Sequence, residues 1–197
     1  MGLTPLVLDG IAVRLEPLGL HHLDGLTEVG LDPTLWTTTT TRVTSREEMR
    51  SYVMEAIAEQ AAGVALPFAT VERASGIVVG STRFANAAPA HRRVEIGWTW
   101  IAPRWQRTVV NTEAKYLMLR HAFEVMGMRR VELKTSTTNA ASRNAMLRIG
   151  ATEEGILRQH MLRWDGSSRD SVYFSVLDGE WPVVKRRLET MLVALGS

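Results

Sequence analysis

The stretch WQRTVVNTEAK, residues 105–115, joins a tryptophan-rich run to a long amphipathic pattern. The run before it, Arg93–Ile101 (RVEIGWTWI), has the composition of a strand, and residues 112–126 place apolar side chains at helical spacing. Residues 130–134 (RVELK) then resume the strand pattern. The sequence therefore predicts a strand, a helix and a second strand that together form a crossover unit.

A strand and two helices are predicted on the amino-terminal side of this unit. Residues 11–18 alternate as a half-buried strand does, and residues 20–29 have a helical pattern. A second helix begins at an S-x-x-E capping box formed by Ser45 and Glu48. The five threonines between the helices, residues 37–41, favour an extended surface loop, with contact to a substrate as the alternative.

Strands dominate the rest of the chain. An antiparallel meander is predicted from three successive strand patterns, at residues 66–72, 77–86 and 93–101. After the crossover, a helix at residues 139–149 stops at Gly150, two strands at residues 155–164 and 171–177 flank an Asp-Gly turn, and a last helix begins near Asp178. This order predicts one α+β domain over residues 1–197, with a mixed, mostly antiparallel central sheet flanked by helices.

Composition narrows the classes of function. The 197 residues include no cysteine, which removes thiolate nucleophiles and thiolate metal sites, and the net charge is only +2. The nearly balanced charge and the lack of an aromatic-basic strand motif argue against nucleic acid as a partner. No apolar run reaches the length of a membrane span, so we expect no membrane partner and a cytoplasmic location. The five histidines show no ligand spacing, so no metal site is predicted.

The opening stretch lies at the amino end of a predicted helix, where backbone N–H groups lack intrahelical partners and the macrodipole favours an anion. Polar side chains add donors there: Gln106, Arg107, Thr108, Asn111 and Thr112. A phosphate or pyrophosphate site is one interpretation of this turn. The other, which the local physics alone favours, is that Asn111 or Thr112 caps the helix and the donors face water.

Four motifs together resemble the GCN5-related N-acetyltransferases (GNAT), and in particular the group of ribosomal-protein amino-terminal acetyltransferases, RimJ and RimL. They are NTEAKYLMLRHAFE from Asn111, N-x-x-S with a later glycine at Asn139, Ser142 and Gly150, GILRQHMLRWDG from Gly155, and DSVYFSVLDGEWP from Asp170. The order of elements agrees over nearly the whole chain. The resemblance implies a GNAT-like sheet with a splay between the family's fourth and fifth strands, and acetyl-CoA as co-substrate without a metal.

In that family the turn after the fourth strand wraps the pyrophosphate of acetyl-CoA and has the pattern Gln/Arg-x-x-Gly-x-Gly/Ala. The matching positions here are Gln106, Arg107, Thr108, Val109, Val110 and Asn111, so both glycines are missing. Glycine serves where backbone must approach a ligand closely or adopt positive φ. Either the loop follows a different path, with Arg107 and Thr108 contributing side-chain contacts, or binding of the cofactor is reduced or absent.

The implied reaction is attack of an amine on a thioester, which needs a neutral nucleophile, a stabilised oxyanion and a protonated leaving thiolate. Glu95 alternates with Val94 and Ile96 and is the candidate general base; the alternative is a strand carboxylate paired with Arg83 or Arg93. By resemblance, backbone N–H groups near Trp100 and Ile101 would bind the thioester carbonyl or the pantetheine arm.

The leaving thiolate needs a proton donor. Many family members use a tyrosine on the helix after the fifth strand, but the aligned residue is Met146, which has no proton to give. Ser142, one helical turn earlier, is the substitute, and it could instead cap its helix or bond back to it. Asn139 would hold the pantetheine amide, act as the N-cap, or do both.

The function predicted from these features is transfer of an acetyl group from acetyl-CoA to a primary amine of a peptide or protein amino terminus, an amino acid or a small amine. The alternative is a catalytically degenerate GNAT-fold protein that binds CoA or another ligand, which the missing glycines and tyrosine favour. Trp98 and Trp100 share a strand face and would line an acceptor groove or a homodimer contact, with core packing as the commoner explanation.

Overall fold

The computed structural model describes residues 3–196 and contains one eight-stranded sheet with helices on both faces. The strands are β1 (Leu8–Asp9), β2 (Val13–Pro17), β3 (Ala65–Glu72), β4 (Val78–Ala88), β5 (Arg93–Ile101), β6 (Arg130–Ser136), β7 (Thr152–Leu162) and β8 (Ser168–Leu177). The α-helices are α1 (Leu23–Gly30), α2 (Arg46–Ala61), α3 (Val109–Arg120), α4 (Ala140–Ile149) and α5 (Trp181–Gly196).

The sheet order is β1-β2-β3-β4-β5-β6-β8-β7. Only β5 and β6 pair in parallel, and α3 is the crossover that joins them; all other neighbours are antiparallel. The prediction of an α+β fold with a mixed, mostly antiparallel sheet is therefore confirmed, as are the meander and the crossover unit.

The two faces of the sheet carry different layers. On one face, which we call the α3 face, Phe84, Val94, Ile96 and Leu133 pack in a single core with α3 and α5. On the other, the α2 face, a smaller core joins α1 and α2 to Ala69 and Trp100. Because α1 and α2 contact β3 and β4, the polar side chains that β5, β6 and β8 carry on the α2 face are left outside the smaller core.

Local sequence signals predicted several helix ends correctly. Ser45 accepts a hydrogen bond from the backbone of Glu48 and caps α2, and Gly150 takes the left-handed conformation (φ 99°) that ends α4. Helix α3 begins at Val109, three residues earlier than predicted, because Thr108 is its cap, and a π-helical turn at His121–Val125 extends it. The last helix begins at Trp181 and not near Asp178.

The threonine run differs from the predicted extended loop. Residues 37–40 follow a short 3₁₀ helix (Pro33–Trp36) as turns and bends, and Thr38 to Thr41 are half-buried. Within residues 3–196, none of the helices combines the length and the apolar character that a membrane crossing requires.

Candidate active site

Strands β5 and β6 separate soon after they begin. Their parallel pairing is limited to residues 93–95 and 130–132. Beyond that point β5 continues beside β4 as far as Ile101, and β6 continues beside β8 as far as Ser136. The facing edges beyond Glu95 and Glu132 thus have no strand partner, and their backbone polar groups are available to a ligand that lies in the gap. This is the splay that the resemblance implied.

A β-bulge shapes the β5 side of the splay. Trp98 has a left-handed φ of 50°, and the register with β4 shifts by one extra residue between Gly97 and Trp100. Trp100 is buried in the smaller core, where its indole N–H donates to the Tyr52 hydroxyl. Trp98 is only half-buried and contacts the cations of Arg83 and Lys134. Core packing therefore accounts for Trp100, while Trp98 lines the α2 face next to the splay.

The backbone around Trp100 and Ile101 pairs with Ser81 and Gly80 of β4. A side chain at Gly80 would meet the carbonyl oxygen of Trp100 at 2.1 Å, so only glycine allows the strands to approach this closely. The outer edge of the same backbone faces the splay, where the predicted contacts with the thioester or pantetheine would lie.

The turn after β5 leads directly into α3. Gln106 donates its side-chain amide to the carbonyl of Ile101, and Thr108 caps the helix through a hydroxyl that donates to Trp105 and accepts from Val110. Arg107 carries the left-handed conformation (φ 61°). Val109 stands where the family has its first glycine, and here it is already helical. The positive φ of this turn is therefore at Arg107, just before Thr108.

Neither Asn111 nor Thr112 caps α3, because both lie inside its first turn. Thr112 is fully buried and accepts a hydrogen bond from Nη2 of Arg148 in α4 at 2.9 Å. The Oδ1 atom of Asn111 is sealed from solvent without a partner within residues 3–196. The cations beside the helix start are therefore Arg107, which is exposed, and Arg148, whose position sequence reasoning missed.

Glu95 lies at the last paired position before the splay and is 2% exposed. Its Oε2 accepts from Nζ of Lys134 at 3.0 Å and from the side-chain amide of Asn86 at 2.8 Å. The expected alternative partners, Arg83 and Arg93, pair with Glu59 and Glu132 instead. Within the described chain, Oε1 has no hydrogen-bond partner, and a side chain at Gly97 would approach it to 2.9 Å. Glycine thus keeps space open beside the second oxygen.

Asn139 and Ser142 lie at the start of α4, just after β6 ends. Asn139 is the N-cap: its Oδ1 accepts from the backbone of Ser142 at 3.0 Å, and its Nδ2 donates to the Thr38 hydroxyl at 2.9 Å. The threonine turn is thereby tied to the α4 end of the splay. The hydroxyl of Ser142 makes no hydrogen bond to the rest of residues 3–196, so it neither caps α4 nor bonds back to it.

Lys115 is a buried amine that sequence reasoning missed. It is 6% exposed, and its Nζ donates to the hydroxyls of Thr99 (2.7 Å) and Thr82 (3.3 Å) from beneath the bulge. Burial lowers the pKa of Lys115 to about 7. The sequence did contain a signal for this burial: Lys115 lies among the apolar positions Ala114, Leu117 and Met118, where a lysine is unusual.

The absence of a metal site was predicted from spacing, yet the fold brings ligand atoms of Glu16, His21 and His22 within 4.8 Å of one another. Internal contacts already account for this cluster. Glu16 is ion-paired with Arg14 and bonded to Nε2 of His22, whose Nδ1 accepts from the backbone of Gly19. Burial lowers the pKa of His22, with Glu16 acting in the opposite direction.

Comparison with known proteins agrees with this geometry. Residues 12–152 match the family model of the acetyltransferase (GNAT) domain, and the chain belongs to this family. It is 34% identical over 106 residues to the "Putative ribosomal N-acetyltransferase YdaF" of Bacillus subtilis (strain 168). That match covers 54% of this chain and 57% of the relative, so the chain spans little more than half the length of that relative.

Among the solved structures that match nearly the whole chain are the following two. A GCN5-related N-acetyltransferase from Brucella melitensis is 34% identical with a TM-score of 0.88, and the match covers 96% of this chain and 86% of that one. Mycobacterium smegmatis RimJ in complex with CoA-disulfide is 25% identical with a TM-score of 0.77, covering 95% and 93%.

Proposed function

We propose that the protein transfers the acetyl group of acetyl-CoA to a primary amine. The observation that carries the proposal is the continuity of two open backbone regions: the unpaired edge of β5 beyond Glu95 runs into the first turn of α3. A long ligand with a phosphate at one end and amide groups along its length is complementary to such an arrangement.

The turn fits a pyrophosphate although both family glycines are absent. The first N–H groups of α3 have no intrahelical acceptors, and of these only Val110 is satisfied by the Thr108 hydroxyl. Arg107 belongs to this turn and is exposed, and the guanidinium of Arg148 reaches the start of α3 at Thr112. These features support a loop path that differs from the family's and still leaves room for the cofactor. The left-handed residue is Arg107, and Val109 needs no unusual conformation.

Bound acetyl-CoA would supply the thioester, and residues on both sides of the splay would move protons. Glu95 takes a proton from the acceptor amine, directly or through one water at Oε1, so that the neutral nitrogen attacks the carbonyl carbon. Backbone N–H groups of β5 near Trp100 and Ile101 stabilise the oxyanion. When the C–S bond breaks, Ser142 gives its hydroxyl proton to the leaving thiolate and regains, through water, the proton that the attacking nitrogen loses as the amide forms. The hydroxyl of Ser142, which has no partner within residues 3–196, is consistent with this role.

A degenerate protein that binds CoA without turnover is the competing function, favoured by Met146 in place of the family's tyrosine. Amide NMR spectra recorded during a CoA titration, combined with thiol release from acetyl-CoA over a panel of amines, separate the two. We expect residues 106–112 to shift and thiol release to depend on an amine. Shifts without release would establish the binding protein, and shifts confined to another region would refute the phosphate assignment.

A further inference from the structure

Two arginines lie next to each other on the α2 face of the β7–β8 hairpin. Arg169 of β8 is directly opposite Met161 of β7. Arg163 follows Met161 by two residues, and its backbone N–H continues the pairing by donating to Ser167 at 2.8 Å. Residues that are opposite or two apart share one face of a sheet, so both guanidinium groups are on the same side.

Neither arginine has a carboxylate partner within residues 3–196. Arg169 is only 8% exposed, and its guanidinium donates no hydrogen bond within residues 3–196. Its Nε is inaccessible to solvent, whereas its two terminal nitrogens are not. Arg163 reaches only the hydroxyls of Thr138 (3.3 Å) and Ser136 (3.4 Å), and its Nε is also sealed without an acceptor. By contrast, the buried Arg83 is ion-paired with Glu59.

The burial of Arg169 without an ion pair within residues 3–196 is unfavourable. Arginine stays charged at every accessible pH, so it cannot escape the cost of burial by losing its proton as lysine can. Burial lowers the pKa of Arg169, Arg163 lowers it further, and Glu95 and Tyr173 act in the opposite direction. A buried charge is normally retained when it has a partner, so Arg169 is suited to an anion that residues 3–196 do not supply.

The surroundings of the pair indicate where that anion comes from. Neighbouring residues relate the pair to both candidate catalytic groups. Arg169 and Tyr173 lie on the same face of β8, and Nζ of Lys134 lies over the Tyr173 ring and donates to Glu95. Ser136 and Thr138, which Arg163 contacts, directly precede the Asn139 cap that binds the backbone of Ser142. The phosphate position assigned above has its own cations at α3. The arginine pair is therefore on the acceptor side.

We propose that Arg163 and Arg169 bind a carboxylate of the acceptor, so that the acetylated amine belongs to an amino acid or to a peptide with an acidic group close to its amine. Two guanidinium groups on one face match the planar, bidentate geometry of a carboxylate. The inference rests on the acetyltransferase function proposed above for the identity of the ligand.

The kinetic test compares acceptors that differ only in the anion. Alanine against alaninamide probes a free α-carboxylate, and the dipeptide amides Ala-Asp and Ala-Asn probe an acidic side chain. We expect one charged acceptor to exceed its neutral counterpart in kcat/KM by roughly 10- to 100-fold, since hydrogen bonds to charged groups are the strong ones. Arg169→Met should abolish that preference. Because wild type and variant are assayed with the same acceptors, differences between the amine pKa values of the acceptors cancel.

A second measurement does not depend on turnover. Thermal unfolding with millimolar N-acetylglycine should raise the Tm of the wild type more than N-acetylglycinamide does, because only the acid carries a carboxylate. Arg169→Met should lose this difference, Arg169→Lys should keep part of it, and the exposed Arg186→Met is the matched control that should behave as wild type. Without ligand, Arg169→Met should be at least as stable as wild type, because the uncompensated charge is gone.

The outcomes separate this inference from the proposed function. Acetyl transfer with equal rates for both members of each pair, or a preference that persists in Arg169→Met, would overturn the carboxylate site alone. A Tm response to the acid that depends on Arg169, in a protein that releases no thiol with any amine, would support the site and refute the transferase. Equal Tm responses to acid and amide would refute the site whatever the activity.

Discussion

Lys115→Met should stabilise the protein at neutral pH, and the gain should shrink as the pH rises. In the folded protein the ammonium is enclosed beneath the β5 bulge, where it contacts two threonine hydroxyls and no carboxylate of residues 3–196. Methionine fills a similar volume without a charge, and the Thr82 and Thr99 hydroxyls retain their mutual hydrogen bond of 2.7 Å. The substitution therefore removes a buried charge without leaving these two groups unpaired.

The magnitude follows from the two pKa values of Lys115. Burial lowers the pKa from 10.5 in the ordinary state to about 7 in the fold. Between these values the unfolded chain binds more protons, so the free energy of unfolding rises with pH. Linkage gives a penalty of about 4 kcal/mol at pH 7 and about 2 kcal/mol at pH 9, relative to a neutral side chain. The loss of hydrogen bonds from Nζ subtracts roughly 1 kcal/mol each from the gain.

Urea unfolding at pH 7, 8 and 9 measures this effect directly. We expect the stability difference between Lys115→Met and wild type to fall by about 2 kcal/mol from pH 7 to pH 9. Lys185→Met is the matched control: Glu124 raises the pKa of Lys185, so its charge persists over this range and its difference should be constant. A Lys115→Met difference that does not change with pH would show that the buried amine is not neutralised by the fold.

Three further substitutions test other parts of the structure. Ser142→Ala should lower turnover by ~10²–10⁴-fold with CoA affinity nearly unchanged; unchanged turnover in steady-state assays would remove the proton-donor role. Glu95→Gln should impair turnover most at neutral pH, with a defect that diminishes toward the pKa of the amine in a pH–rate profile, whereas a uniform loss would indicate a role in binding or structure. Glu113→Gln should cost about 2–4 kcal/mol in urea unfolding, because its carboxylate accepts from the backbone N–H groups of Ile11, Ala12 and Val13; no loss would contradict that account.

Features that depend on near neighbours could be predicted from the sequence. The capping box at Ser45, the stop at Gly150 and the meander follow from side chains within a few residues of each other. The start of α3 was predicted three residues late, because Thr108 and Asn111 are both acceptable caps and the choice depends on the Trp105 carbonyl, which Thr108 reaches.

The surroundings of the candidate site were harder to predict because they join distant parts of the chain. Strand alternation made Glu95 a candidate base, but its partner Lys134 is 39 residues away and lies on the next strand. The predicted arginine partners of Glu95 were wrong for the same reason: Arg83 and Arg93 pair with Glu59 and Glu132, and these pairings depend on strand order and on helix packing. The contact of Thr38 with Asn139 spans 101 residues and has no local signal.

By itself the sequence determined the fold class, the crossover unit and the family, because periodicity, caps and motif spacing are properties of short stretches of chain. The tertiary structure alone decided at which residues β5 and β6 diverge, the burial of Lys115 and, within residues 3–196, the lack of an ion pair at Arg163 and Arg169. Each of these depends on which strand lies beside which and on what is left outside the cores. Burial, and the cost of a charge that has no partner there, exist only once distant segments have packed together.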